Sequence, residues 1–216
     1  MGKVFFDIST SLDGYVAGPD PSLEDPLGEG GEQLHEWAFA AQSWREQHGL
    51  EGGEENEDSR ILAEAIEATG AVIMGRKMFS GGEGPWEDDP NANGWWGDDP
   101  PFHVPVFVLT HHAREPEPMQ GGTTFHFVTD GIESALGRAC DAAGEKDVAI
   151  AGGASAVQQY LAAGLVDEFQ IHVAPVLLGG GTRLFEDVTA EVESTRVLHS
   201  PAATHLRYRV LQARLK

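Results

Sequence analysis

Apolar residues follow two patterns along the chain, short runs typical of strands and wider spacings typical of amphipathic helices. Short apolar or β-branched runs predict strands, and apolar positions three or four apart predict helices. On these patterns we predict strands at 4–10, 71–75, 104–110, 124–129, 148–151, 167–175, 195–199 and 204–211. We predict helices at 33–47, 61–69, 132–143 and 154–163, with Gly70 as the C-terminal stop of the second.

The order of these elements indicates a fold class. Strands alternate with helices along most of the chain, and the last two strands follow each other directly. This order predicts an α/β three-layer sandwich, with a central, mostly parallel mixed sheet, an antiparallel C-terminal edge and helices on both faces. We expect one domain over residues 1–216, because no internal repeat or second boundary is visible. Irregular insertions are predicted at about 18–33, 50–59 and 81–103.

Composition excludes several classes of protein. The 216 residues are 41 % hydrophobic and 23 % charged, as in soluble globular domains. No apolar run is long enough to cross a bilayer, and the first residues have a strand pattern rather than that of a signal peptide. We therefore expect a cytoplasmic protein with no membrane partner. The formal net charge of −21 repels nucleic acid; this acidity is typical of solubility or of a salt-tolerant host.

Metal and disulfide chemistry are not expected. The single cysteine, Cys140, excludes an internal disulfide and a multi-cysteine zinc site, and with it the zinc-dependent base deaminases. The acidic segment 51–58 is predicted to be a solvated connector. The pairs at 88–89 and 98–99 lack the alternation of a calcium loop, and we predict that they are solvated too. Four histidines lack the spacing of metal ligands: His103, His111, His112 and His126.

A pair of glycines separates the strand at 148–151 from the helix at 154–163. Gly152 and Gly153, flanked by Ala151 and Ala154, stand where the free amide groups of a helix start converge. Such a corner can bind a phosphate or pyrophosphate. The full G-x-G-x-x-G spacing is absent, so an ordinary strand-to-helix corner that happens to use glycine is equally compatible with these residues alone.

Two further strand ends carry groups suited to an anion. Gly75 is followed by the cations Arg76 and Lys77, which can contact a ribose 2′-phosphate or a pyrophosphate. Thr110 and His111 end another strand and offer a hydroxyl and an imidazole. Because ligands gather at the carboxyl ends of parallel strands, all three corners can face one crevice.

Five short motifs occur in order along nearly the whole chain. They are SLDGYVA at 11–17, VIMGRK at 72–77, VFVLT at 106–110, AGG at 151–153, and VDE at 166–168 leading into PVLLGGG at 175–181. Their order and spacing resemble the dihydrofolate reductase superfamily. Within it, the chain is most similar to the reductase domain of the bifunctional riboflavin-biosynthesis deaminase/reductase and to stand-alone bacterial proteins of that kind. The resemblance implies a dihydrofolate-reductase-like fold.

The resemblance also implies NADPH as cofactor. By family analogy, the pyrophosphate would lie against the two glycines at 152–153, often through a cis peptide between them. The catalytic Asp13 and the adjacent Gly14 would lie near the nicotinamide. The complete set of implied cofactor residues is Gly14, Gly75, Arg76, Lys77, Thr110, His111, Ala151, Gly152, Gly153 and Ala154.

The sequence identifies the substrate-binding residues less clearly than the cofactor-binding residues. Dihydrofolate reductase uses a carboxylic acid on its first helix, so the resemblance makes Glu36 the best proton donor and His35 the next. Glu36 also suits a solvated helix face. A pocket is expected between the loop at Asp13, the helix at 33–47 and the glycine loop at 179–181, lined by Trp37, Leu178, Gly179 and Gly180. Trp37 equally fits a packed helix face.

Two functions are consistent with these residues. The first is an NADPH-dependent reductase that transfers hydride to a carbonyl or imine of a small heterocyclic substrate, such as a pteridine or a ribosylamino-pyrimidine. The second is a nucleotide-binding protein of the same fold that is inactive or has a sensing role. A homodimer is expected from the family resemblance.

Overall fold

A computed structural model of the chain describes residues 2–215. Met1 and Lys216, the two ends of the predicted domain, lie outside the described residues. The strands are β1 (Val4–Thr10), β2 (Tyr15–Ala17), β3 (Thr69–Gly75), β4 (Pro105–Leu109), β5 (Glu117–Pro118), β6 (Thr124–Val128), β7 (Asp147–Gly152), β8 (Glu168–Val173), β9 (Thr182–Arg183), β10 (Val188–His199) and β11 (Thr204–Leu215). The helices are α1 (Glu36–Ala40), α2 (Gln42–Gln47), α3 (Glu57–Ala68), α4 (Arg76–Ser80), α5 (Ile132–Ala143) and α6 (Ala154–Ala162).

A mixed sheet organises the molecule. Its strand order is β10-β11-β8-β1-β7-β3-β4-β6-β5. The strands from β8 to β6 are parallel, and the antiparallel pair β10 and β11 forms one edge. The short β5 adds an antiparallel strand at the other edge. Strands β2 and β9 pair separately. The predicted α/β class and antiparallel C-terminal edge are confirmed, whereas β2, β5 and β9 are too short to give a periodic signal.

Helices cover both faces of the sheet because alternate residues of the strands are apolar on both sides. In β3, Ala71 and Ile73 belong to a core cluster with residues of α5 and α6. Their neighbours Val72 and Met74 pack in a second cluster with Phe79 of α4. This arrangement gives the predicted three layers. Among the residues at 2–215, no helix is both long and apolar enough to cross a membrane.

The helix predicted over residues 33–47 is broken. Ala41 has an extended backbone and separates α1 from α2. The break is stabilised by the segment before α3, because Gln42 donates its amide to Glu54 and Glu54 donates its own to Ala40. Apolar periodicity continues across Ala41, so the sequence pattern alone did not reveal the break.

The acidic connector is only partly solvated. Asn56 caps α3 by accepting a hydrogen bond from the amide of Ser59 at 2.9 Å. The helix therefore begins four residues before the predicted start, and Asp58 in its first turn is buried. The prediction that residues 51–58 are all solvent-exposed is wrong at Asp58.

Gly70 does not stop a helix. It lies inside β3, where a Cβ would stand 2.6 Å from Cβ of Lys146 and 2.9 Å from the carbonyl oxygen of Ala143. Glycine is therefore required by the close approach of the turn between α5 and β7.

We expect a glycine-to-alanine substitution to have opposite effects on stability at Gly70 and at Gly137. Gly70→Ala should lower the free energy of unfolding by about 1 to 3 kcal/mol, because the new methyl group meets backbone atoms. Gly137→Ala should raise it by up to about 1 kcal/mol, because Gly137 lies on the exposed side of α5 with nothing within 4 Å of an added Cβ. Urea denaturation of both variants measures the difference, and a Gly70→Ala protein as stable as wild type would contradict the packing argument.

Candidate active site

A cavity of about 1420 Å³ lies at one edge of the parallel strands. Residues at or next to the carboxyl ends of β1, β3, β4, β6 and β7 line it, and residues of α1 and α3 line another side. Parallel strands bring their carboxyl ends to the same edge, which explains why corners far apart in sequence meet here. All the predicted cofactor residues except Gly14 line this cavity: Gly75, Arg76, Lys77, Thr110, His111, Ala151, Gly152, Gly153 and Ala154.

The glycine corner leaves open space in the cavity. The peptide bond between Gly152 and Gly153 is cis, as the resemblance suggested. Gly152 has a φ of 131°, which favours glycine, and Gly153 is the residue before the first turn of α6. A Cβ added to Gly153 would meet no atom within 4 Å. A ligand can therefore approach the backbone closely at this corner.

Arg76 lines the cavity but is held by the long loop that follows it. Its guanidinium forms an ion pair with Asp89, donates to the hydroxyl of Ser80 at 2.9 Å, and lies 3.2 Å from the centre of the Trp86 ring. Its Nη1 atom is buried and has no hydrogen-bond partner within the described part of the chain. Arg76 thus keeps one free donor while most of its charge is compensated.

Asp89 is buried, which corrects the prediction that the pair at 88–89 is solvated. Burial raises its pKa, but hydrogen bonds from the Ser80 hydroxyl, the Asn91 amide and Arg76 outweigh this effect, so the pKa lies below its ordinary value. The adjacent Asp88 is exposed. The sequence gives no signal that distinguishes the two residues, because only the folded loop brings Asp89 to Arg76.

The remaining predicted phosphate ligands differ in environment. Lys77 is largely exposed and forms an ion pair with Glu83 at 2.6 Å. Thr110 is buried, and its hydroxyl accepts a hydrogen bond from the amide of His112 at 3.2 Å. His111 is exposed at the cavity edge. Lys77 and His111 are therefore free to reorient toward a ligand, whereas Thr110 is fixed.

Asp13 holds the glycine loop rather than lining the cavity. Its carboxylate accepts hydrogen bonds from the amides of Leu178 at 3.1 Å and Gly179 at 2.7 Å. The hydrogen bond from Ser11, together with these amides, lowers the pKa of Asp13 to about 2 against the opposing effect of burial. Asp13 is thus a carboxylate at neutral pH. Gly14, Leu178, Gly179 and Gly180 are likewise not among the residues that line the cavity.

His35, which directly precedes α1, and Trp37 of α1 line the cavity, whereas Glu36 does not. Glu36 is exposed and is not among the lining residues, so the geometry does not favour it as a proton donor. Burial, with a contribution from nearby His172, lowers the pKa of His35 to about 4, and this ring is therefore neutral at neutral pH. Trp37 is both packed and in the cavity wall, and its indole N–H donates to Ser9 at 2.9 Å.

A buried chain of ionisable groups lies beneath Trp37, and it was not predicted. Asp7 contacts Nε2 of His172, whose Nδ1 lies 2.6 Å from Nδ1 of His205. Nε2 of His205 lies 2.8 Å from the Asp58 carboxylate. Asp7 and His172 line the cavity, and Trp37 packs on both imidazole rings at centroid distances of 4.3 and 5.1 Å.

A weak signal for this chain exists in the sequence. Strands β1, β8 and β11 each carry two polar residues two positions apart, which places each pair on one face of its strand. The register aligns Asp7 with Gln170 and Arg207, and Ser9 with His172 and His205. Polar pairs at this spacing in buried strands could have predicted a polar row, although not its partner on α3. Across residues 2–215, no group of three or more His, Cys, Asp or Glu side chains is arranged to hold a metal ion.

Comparison with known proteins supports the fold. A riboflavin biosynthesis protein candidate from Shewanella sp. PV-4 superposes with a TM-score of 0.59 at 22 % identity, covering 97 % of this chain and 99 % of that one. The diaminohydroxyphosphoribosylaminopyrimidine deaminase/5-amino-6-(5-phosphoribosylamino)uracil reductase of Thermotoga maritima superposes with a TM-score of 0.56 at 14 % identity, covering 97 % of this chain and 56 % of that protein. At these identities the likeness concerns the fold alone.

Sequence comparison identifies the family. Over 47 residues the chain is 45 % identical to the uncharacterised protein YyaP of Bacillus subtilis, a match that covers 22 % of this chain and 25 % of that protein. The three-layer fold is dihydrofolate-reductase-like. The RibD C-terminal domain family matches residues 2–207, so the chain belongs to that family. The family is that of the reductase domain of riboflavin biosynthesis.

The buried ion pair predicts a pH-dependent stability difference. Asp89→Asn should lower the free energy of unfolding by about 3 kcal/mol or more, because it leaves the Arg76 charge buried without its partner. The pKa of Asp89 is lower in the folded state, so its contribution is present above the unfolded value of about 4 and is lost as the pH falls further. The difference from wild type should therefore narrow below about pH 4.

Urea denaturation at several pH values measures this difference. Asp88→Asn is the matched control, because Asp88 is the exposed neighbour and should change stability little at any pH. Equal stability of the Asp88→Asn and Asp89→Asn proteins at neutral pH would show that the ion pair with Arg76 does not stabilise the loop.

Proposed function

We propose that this chain is an NADPH-dependent reductase that transfers hydride to a carbonyl or imine of a small heterocyclic substrate. The observation that supports this proposal is the convergence of three separate strand ends, each with groups suited to a phosphate, on one cavity. The family assignment supports the reductase class. When bound, NADPH supplies the hydride.

The residues present fit a dinucleotide. The open backbone at Gly153 provides a cradle without side-chain obstruction, at the start of the nine-residue helix α6. Arg76 offers a buried Nη1 donor that lacks a partner within residues 2–215. Lys77 and His111 add groups that can reorient at the cavity edge. In the proposed complex, Arg76, Lys77, Thr110 and His111 hold the adenosine phosphates and the Gly152–Gly153 corner holds the pyrophosphate.

The substrate belongs to the class of planar, polar heterocycles in this proposal. Trp37 and the neutral imidazole of His35 line the cavity, and together they offer an aromatic surface and a hydrogen-bonding group. Uracil and pteridine rings match this chemistry. The superposed Thermotoga protein is described as a reductase of a phosphoribosylamino-uracil, which makes ribosylamino-pyrimidines the first compounds to test.

The proposal also covers the cellular location, the partners and the oligomeric state of the protein. We propose a cytoplasmic enzyme that acts on small molecules, without nucleic acid or membrane partners, consistent with its net charge of −21. We also propose a homodimer, on the basis of the family resemblance. Light scattering coupled to size-exclusion chromatography tests the dimer directly, and a mass of one chain at micromolar concentration would exclude it.

The proposal predicts binding of NADPH and its oxidation by a suitable substrate. NADPH should quench tryptophan fluorescence and raise the melting temperature, because Trp95 and Trp96 line the same cavity and because a ligand that binds only the folded state stabilises it. Absorbance at the nicotinamide band should then fall when a ribosylamino-pyrimidine or a pteridine is added. Binding without oxidation by any such compound would favour the inactive or sensing alternative, and absence of binding would contradict both functions.

Gly153→Val tests the position of the cofactor. The new side chain would project into open space, so the fold should persist while NADPH affinity falls by more than tenfold, because the side chain occupies the place of the pyrophosphate. Gly137→Val is the matched control, since Gly137 also has nothing within 4 Å but lies on the exposed side of α5, outside the cavity. If Gly153→Val bound NADPH with wild-type affinity, the cofactor would not bind at this corner.

A further inference from the structure

The hydrogen-bonded chain of Asp7, His172, His205 and Asp58, called the proton chain below, has one end at the cavity and one end inside the protein. Asp7 has a side chain that is 15 % exposed and lines the cavity. His172 is also in the cavity wall, whereas His205 and Asp58 are almost fully buried. His205 and Asp58 can therefore act on the cavity only through His172 and Asp7.

The contacts fix the number of protons in the proton chain. Each of its three contacts joins two atoms that both carry lone pairs, so each contact requires one proton. Three protons on two imidazoles and two carboxyl groups leave a net charge of −1. Either both carboxylates are ionised and one imidazole is cationic, or one of the two carboxyl groups carries a proton and both imidazoles are neutral.

The third proton lies at the cavity end. Burial lowers the pKa of His205, against the opposing hydrogen bond to Asp58, so His205 is the neutral imidazole. Asp58 stands in the first turn of α3, where the helix dipole favours a charged carboxylate, so His205 donates from Nε2 to Asp58 and accepts at Nδ1. His172 therefore donates from its own Nδ1, and the remaining proton lies between Nε2 of His172 and the carboxyl group of Asp7.

The other groups that face Asp7 are neutral or already paired. Gln170 of β8 donates to the second carboxyl oxygen of Asp7 at 3.2 Å and accepts from Arg207 of β11 at 3.0 Å. Arg207 in turn lies 3.4 Å from Glu64 of α3. His35, which precedes α1, is held neutral by burial. The charge of Arg207 is thus separated from Asp7 by a neutral amide.

Loss of the third proton is unfavourable. Without it, the two remaining protons pair with the two carboxylates, and the Nδ1 atoms of His172 and His205 face each other across 2.6 Å with lone pairs only. This repulsion opposes deprotonation of the whole proton chain, as expected for strongly coupled sites. The proton chain therefore holds a proton at the Asp7–His172 contact, beside the cavity.

We propose that Asp7 is the catalytic proton donor of this site, and that His172, His205 and Asp58 are positioning residues that keep a proton on the Asp7–His172 pair. This inference rests on the proposed reductase function. As the substrate carbon accepts hydride, the pair releases its proton to the substrate oxygen or nitrogen, so that the carboxyl O–H bond breaks and an O–H or N–H bond forms. A proton from water then restores the pair.

Nitrogen-15 spectra of histidine-labelled protein test the proton count without substrate or cofactor. His172→Gln and His205→Gln assign the two rings. At neutral pH, His205 should be protonated at Nε2 alone, and His172 should be protonated at Nδ1 and share a proton at Nε2. Loss of the third proton near the ordinary histidine pKa, about 6.5, would overturn the proposal.

A substitution at the far end of the proton chain separates its action from simple packing. In Asp58→Asn, the new amide can donate to His205, so His205 should move its proton to Nδ1 and His172 should lose the proton at its own Nδ1. Asp141→Asn is the control, because Asp141 is exposed on α5 in the opposite layer. If Asp58→Asn changed neither the His172 spectrum nor the pH profile of turnover, the groups would not be coupled and the proposal would be overturned.

Kinetics with NADPH and a ribosylamino-pyrimidine complete the test. Asp7→Asn should slow turnover by about 10²- to 10⁴-fold while leaving NADPH-induced fluorescence quenching unchanged. Asp58→Asn should shift the pH profile of turnover, and Asp141→Asn should change neither. If Asp7→Asn does not fold, the Asp58→Asn profile and the histidine spectra decide the matter.

The two proposals fail in different ways. An Asp7→Asn protein that reduces the substrate as fast as wild type would overturn the role of Asp7 and leave the reductase function standing. A wild-type protein that neither binds nor oxidises NADPH would overturn the reductase function and, with it, the role of Asp7. The proton count from the histidine spectra is measured in either case.

Discussion

The parallel pairing of β1 with β7 and β8 is the constraint on which both the cavity and the buried proton chain depend. Pairing with β7 brings the end of β1 beside the Gly152–Gly153 corner. Pairing with β8 aligns Asp7 with Gln170 and Ser9 with His172. A shift of one residue in this register would turn these polar side chains to the other face, where α5 and α6 pack on apolar residues.

The cavity wall carries two cations although the chain as a whole is acidic. The chain is strongly acidic, yet its cavity carries Arg76 and Lys77 in its wall. Each of these cations already has an acidic partner, Asp89 and Glu83 respectively, on the segment that follows α4. An anion that enters the cavity therefore competes with these carboxylates, most readily at the exposed Lys77. The long loop at 81–103, which supplies both carboxylates, therefore influences how tightly the cavity binds an anion.

Site residues that are neighbours in the sequence could be predicted from it, whereas those that depend on distant partners could not. The glycine corner and the Gly75-Arg76 corner are contiguous in sequence, so local turn and helix-start chemistry suggests them directly. Glu36 was suggested by family analogy, but the position of a side chain around a helix decides whether it faces a cavity, and Glu36 faces solvent. Asp7 was visible only as an acid inside a strand, with no indication of its partner.

Sequence by itself determined the layer architecture and the positions of most strands and helices, because apolar periodicity and glycine placement act over a few residues. Tertiary structure alone decided the break at Ala41, the burial of Asp58 and Asp89, and the contact between His172 and His205. These features join residues that are far apart in the chain. Their free energies depend on burial and on partners supplied by other elements, which no local pattern encodes.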